Sequence, residues 1–211
     1  MKEITQGIRW NNEEKEFLKG LSDPWTIQEF LDSIAYNPDY ECRSPRWVIR
    51  KKSAHCFEGA LFAAAALDFL GHKPLIVDMK AHNDDDHVIA VFREGRFWGA
   101  VAKSNFTSLR YREPVYRSLR ELIMSYFDFF FNTKGEKSLR SYSRPFDLTV
   151  YNKRNWATTD EDLEYIGDKI ESLYHYPVIT DAQAKNLKIA GSYMLEAGLL
   201  GSNEAGLYKP S

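Results

Sequence analysis

The sequence predicts an α+β fold: a central buried helix packed on an antiparallel sheet, with extra helices at both ends. Three observations predict it. Apart from Glu58, Gly59 and Asp68, residues 57–70 are apolar on every side, and a helix without a polar face is surrounded by protein. Three short strand-like runs follow, the last two joined by a glycine turn. Segments with helix caps lie at both ends.

The chain has 211 residues, 44% hydrophobic and 27% charged, enough for one sizeable core. With no internal repeat and no low-complexity linker, residues 1–211 are expected to form a single domain. The formal net charge of −2 gives no global attraction to nucleic acid or an anionic membrane. Two cysteines fit reduced thiols better than a disulfide framework. "MKEITQGIRWNNEEKEF" lacks a signal-peptide core, and no apolar run spans a bilayer, so a cytoplasmic location is the default expectation.

The first 40 residues read as two short helices. "NNEEKEFLKG" has an Asn cap and closes at Gly20; "SDPWTIQEFLDSIAYN" has Ser22 or Asp23 as cap and Pro24 at the first helical position. "NPDYECRSPRW" reads as a loop. The central helix is expected from about Ala54 to Leu70, capped by Ser53 and closed by Gly71 and Pro74.

Strands are expected at residues 74–79, 87–92 and 96–104, with Glu94-Gly95 as the hairpin turn. In "HVIAVF" both alternating sets are apolar after His87, so both sheet faces should be covered. "EPVYRSLRELIMSYFDFFFN" reads as a long amphipathic helix whose aromatic stripe is core packing. "SLRSYSRPFDLTVYNKRNW" is irregular with room for a short strand. "TTDEDLEYIGDKIESLY" opens with Thr158 and Glu161 at capping-box spacing. The last 30 residues read as a weak helix and a frayed tail.

Cys56 stands in the first turn of the central helix. Unpaired N–H groups and the helix dipole there favour thiolate, which is the nucleophile. A base must take the thiol proton and return it. His72 and His175 adjoin helix ends in expected solvent, and His82 is in a loop. His55 is the chain neighbour of Cys56, pointing about 100° away on a helix. His87, at the start of a buried strand, is the histidine placed for a fixed ring. With Glu94-Gly95 as the turn, His87 lies opposite Ala102, and Ser104 is its diagonal polar neighbour. Asn105 lies one residue further.

"HCFEGALFAAAAL", the following "LGHKP", "DDHVIAVFR", "WGAVAKSNF" and "RYREPVYRSLREL" together resemble the transglutaminase-like superfamily, over about 45–150. The resemblance implies a papain-like fold for that core, with helical N- and C-terminal extensions. It implies a nucleophile at Cys56 and a base at His87, in a family of cross-linking enzymes, amidases, proteases and some members without catalysis. The family's acid follows a Trp by about four residues; here that walk from Trp98 reaches Ala102, so Ser104 or Asn105 must substitute. The expected chemistry is acyl transfer to, or hydrolysis of, an amide in a peptide, protein or small molecule, with no cofactor. The alternative is a catalytically silent binding scaffold.

Three further features invite other readings. "HNDDDH" (82–87) offers metal ligands, although adjacent acids in a loop diverge. Asp86 or Glu58 could raise the His87 pKa. The basic, aromatic-interleaved stretches 43–52 and 110–120 could hold nucleic acid, but such clusters are more often solvated faces. No feature sets the oligomeric state.

Overall fold

Local caps set the first two helices of a computed structural model that describes residues 7–210. The first six residues, part of the stretch read as lacking a signal-peptide core, lie outside the described residues. Helix α1 (Asn12–Lys19) starts at Asn11, whose side chain accepts the Glu14 amide while Glu14 accepts the Asn11 amide. Helix α2 (Pro24–Ser33) is capped by Asp23 in the same reciprocal way with Thr26. Strand β1 (Ala35–Tyr36) follows.

The segment expected to be loop is loop over residues 37–44, and its last three residues open a helix, α3 (Pro45–Lys51). Pro45 is its first residue rather than a breaker, a position where the missing N–H has no helical acceptor to lose. Strand β2 (Ser53–Ala54) pairs parallel with β1 and leads into α4 (Cys56–Phe69). The extended backbone at 53–54 corrects the expected cap. His55, not Ser53, precedes the helix, and Cys56 is its first residue.

Strands β3 (Leu75–Ala81), β4 (His87–Glu94) and β5 (Phe97–Val101) match the three expected runs closely. The hairpin register does not. Ala90 pairs with Val101 and Glu94 with Phe97, so Gly95-Arg96 is the turn. Gly95, at φ +57°, takes the first loop position, where a type II′ turn needs its glycine. The two-residue shift keeps every side chain on its expected face. It puts Ser104, rather than Ala102, at the register position across from His87.

The long helix expected after residue 113 divides. Strand β6 (Arg112–Tyr116) pairs with β5, and only α5 (Leu119–Met124) is helical before a 3-10 turn at Phe127–Phe129. Pairing with the sheet captures the first part, and Tyr126, Phe130 and Phe131 go fully into the core from the irregular part. Strands β7 (Leu139–Ser143) and β8 (Phe146–Asp147) lie in the stretch read as irregular. Helix α6 (Glu164–Glu171) starts beyond the expected Thr158–Glu161 box; Asp162 accepts the Glu164 amide instead. Strand β9 (His175–Pro177), helices α7 (Asp181–Ala184) and α8 (Ser192–Leu199), and a 3-10 turn at Glu204–Gly206 complete the described chain.

Among the described residues, seven antiparallel strands form one sheet in the order β6-β5-β4-β3-β7-β9, with β8 pairing a further part of β3. Alternation sends Ile76, Val88, Ala90, Phe92 and Val101 to one core with α4 and the N-terminal helices. It sends Val77, Met79, Ile89, Val91 and Ala100 to a second core with α5 and the aromatic run. Leu61, Phe62 and Leu67 of α4 are wholly buried, each stabilising the fold by about 1.5–3 kcal/mol. This is an α+β architecture with a buried helix on an antiparallel sheet. Among the described residues no helix is long and apolar enough to cross a membrane.

Candidate active site

The start of α4 is held by Glu58. Its carboxylate, with no exposed surface, accepts three hydrogen bonds: from the His55 amide (3.1 Å), the Asn37 side chain (3.1 Å) and the Arg43 amide (3.2 Å). The acid thus ties the helix start to the loop at 37–43. The Cys56, Phe57 and Glu58 amides belong to the helix's first turn, where no preceding carbonyl can accept them.

Cys56 keeps partial exposure at a cavity wall. Its Sγ lies 3.8 Å from the Asp86 carbonyl oxygen, and the Val88 amide donates toward it. The sulfur therefore rests against the main chain on either side of His87. Burial pushes its pKa up to about 12; the Val88 and Phe57 amides oppose that, while Asp85 and Asp78 add to it. The thiolate expected from the helix dipole is thus outweighed by desolvation.

His87 opens β4 on the face away from α4, paired with Met79 and edge-on to the Phe130 ring. Its Nε2 lies 2.9 Å from the Leu109 carbonyl oxygen. A carbonyl only accepts, so Nε2 carries the hydrogen and Nδ1 keeps its lone pair. Burial lowers the ring pKa to about 4, the Leu109 bond opposes this, and Arg112 adds to it. The expected upward shift from Asp86 or Glu58 does not occur. Asp86 is taken by Lys80 Nζ (2.7 Å) and the Ala81 amide (2.8 Å), and Glu58 by the helix start.

Cys56, His87, Ser104 and Asn105 line one cavity of about 650 Å³. Neither Ser104 nor Asn105 fills the third place, however. Ser104 Oγ accepts the Phe106 amide at 3.0 Å. Asn105 bonds the main chain of Asn203, accepting its amide at 2.7 Å and donating to its carbonyl at 2.9 Å. The group on the His87 ring is the Leu109 carbonyl, a main-chain partner that no side-chain pattern announces. The clamp on residue 203 was equally hidden, because its partners lie 98 positions apart.

The other histidines are held elsewhere. His55 reaches the Glu41 carbonyl through Nε2 (3.1 Å). His175 is not in solvent: its ring bonds Asp78 (2.9 Å) and the Leu173 carbonyl (2.8 Å). His72 sits edge-on to Phe92, with burial lowering its pKa. In 82–87 the acids diverge; Asp84 bonds Ser138 (2.6 Å) while Asp86 turns to Lys80. Among the described residues no group of three His, Cys, Asp or Glu side chains is placed to hold a metal ion.

Three arginines of the basic stretches are committed within the fold, while Arg50, Lys51 and Arg117 are exposed. Arg46 grips Glu14 at 2.6 and 2.9 Å. Arg110 pairs with Asp32 at 2.9 Å, and Arg112 stacks on Tyr126. Neither a known family model nor a curated protein matches the chain.

Proposed function

We propose that the protein is a thiol enzyme acting on a carboxylic acyl derivative, an amide or ester, through Cys56 and His87. The observation that carries this reading is one cavity lined by a helix-initial thiol and an imidazole whose Nε2 is fixed by Leu109. The motif resemblance read from the sequence names the same two residues.

With the thiol near 12 and the imidazole near 4, the resting pair is neutral. The proton therefore leaves as the sulfur attacks. Sγ forms a bond to the acyl carbon while His87 Nδ1 takes the thiol proton. The backbone amides of the first turn of α4 hold the oxyanion. The imidazolium then gives the proton to the leaving amine or alcohol, the old acyl bond breaks, and a thioester remains. Water or an amine resolves it by the reverse proton path.

A second reading is a binding scaffold without turnover. Its support is the same pair of pKa values, together with the carbonyl that stands where an acid would stabilise imidazolium. Intact-mass detection of acyl-enzyme from p-nitrophenyl esters separates the two. The thiol reading expects a mass gain on wild type, none at Cys56→Ala, and acylation slowed about a hundredfold at His87→Ala. Folded protein that never acylates at Cys56 leaves the scaffold.

A further inference from the structure

One part of the cavity wall is made by the chain's own C-terminal segment, where Ala205, Gly206, Leu207 and Tyr208 line the space that Cys56 and His87 also line. This segment is held in an unusual way for a wall. Glu204, Ala205 and Lys209 are exposed, and among the described residues no strand there joins the sheet. Its grip comes from a few polar contacts and from Leu207, which packs against the aromatic core.

Asn105, buried to 7% exposure, reads both main-chain groups of Asn203 with one carboxamide. The Asn203 side chain accepts the Ala205 amide (3.0 Å) and donates to the Tyr36 carbonyl (3.3 Å). The Gly206 amide returns to the Asn203 carbonyl at 3.0 Å, closing a turn. At Gly206 a Cβ would lie 2.6 Å from Tyr36 Cε1 and 2.8 Å from Cδ1, distances real Cβ atoms do not adopt. The two residues between are unread. The recognised pattern is thus Asn-x-x-Gly, with the asparagine bound through its main chain and amide and the glycine selected by the Tyr36 ring.

We propose that Asn105 and Tyr36 form a segment-binding clamp beside the cavity, filled in cis by the Asn203–Gly206 turn and open in trans to a segment that folds into the same Asn-x-x-Gly turn. The clamp rests on the reading of the Cys56 cavity as the functional site for its purpose, since release of the turn opens one wall of that cavity. Binding itself needs neither Cys56 nor His87.

The test uses the full chain and a fluorescein-labelled peptide with the sequence of residues 202–209. Gly206→Val expels the cis turn, so anisotropy should show the peptide binding this variant about tenfold or more tightly than wild type. Adding Asn105→Ala should abolish that binding, and a peptide with valine for the glycine should fail to bind. No binding to a folded Gly206→Val chain, or binding indifferent to either change, overturns the clamp. Where Asn105→Ala does not fold, Asn105→Asp serves: the carboxylate cannot donate to the Asn203 carbonyl. Amide hydrogen exchange at Gly206 should then quicken about tenfold, and unchanged exchange overturns the proposal. Run in the Cys56→Ser background, peptide binding should persist. Binding without acyl chemistry in wild type removes the thiol reading alone; acyl chemistry without binding removes the clamp alone.

Discussion

His87 Nε2 donates to the carbonyl oxygen of Leu109 at 2.9 Å, and this one bond fixes the ring's tautomer. The lone pair is left on Nδ1. Nitrogen-15 spectra should show His87 as the neutral Nε2–H form at pH 7, protonating only near pH 4. A midpoint near the ordinary value of about 6.5 would contradict the burial described here.

The same shift makes stability depend on acid. Folded His87 titrates near pH 4 and unfolded His near pH 6.5. As pH falls through that window the unfolded chain takes the proton first. The folded state should lose up to about 3 kcal/mol relative to pH 7 from this group. Urea midpoints at pH 7 and pH 4.5 measure the loss, and His87→Gln should remove that part of it.

Cys56 should alkylate slowly at neutral pH. With its pKa raised to about 12, the iodoacetamide rate should climb through pH 9 and 10 without levelling. Cys42, also raised to about 12 by burial, is separated by peptide mapping. A rate that saturates below about pH 8 would mean a preformed thiolate.

Glu58→Gln should cost about 3 kcal/mol, or roughly 6–12 °C in Tm. The amide that replaces one carboxylate oxygen must face a donor among the Asn37, His55 and Arg43 groups that Glu58 now accepts. Thermal unfolding reads the loss, and a shift of a degree or less would show that the helix start is held by something else.

Two glycine-to-alanine changes should have opposite signs. At Gly59 the new Cβ would lie 2.3 Å from Lys103 Cβ, and overpacking should destabilise by about 1–3 kcal/mol. At Gly167, inside α6, the nearest atom is Phe57 Cζ at 4.0 Å. There alanine should add about 0.5–1 kcal/mol of stability. Chemical denaturation of both variants checks the contrast.

The helix bearing Cys56 was legible because it has no polar face, and the strand bearing His87 because both its alternating sets are apolar. The turn was misplaced by one residue because Glu94-Gly95 and Gly95-Arg96 both offer a glycine; only the folded pairing separates them. Pro45 was misread because proline both breaks helices and begins them. Strand β6 was hidden by the periodic run after it, where contact with β5 overrode local preference. At the candidate site, Cys56 and His87 were chosen by residue type. The Leu109 carbonyl could not, since every residue has one, and the grip of Asn105 on Asn203 is long-range. Ser104 and Asn105 were chosen for their chemistry, and both are spent elsewhere.

Cys56 heads the helix packed in one core, and His87 stands edge-on to Phe130 of the aromatic core on the other face of the sheet. Sulfur and ring are therefore set by how two independently packed layers stack. A cavity or an extra methylene in either layer alone alters their separation without touching them. Val88 and Ile89 are adjacent in the chain but belong to different cores. Trimming either should detune the site from opposite sides, so tolerance to mutation is narrow on both flanks of the sheet rather than only around the cavity.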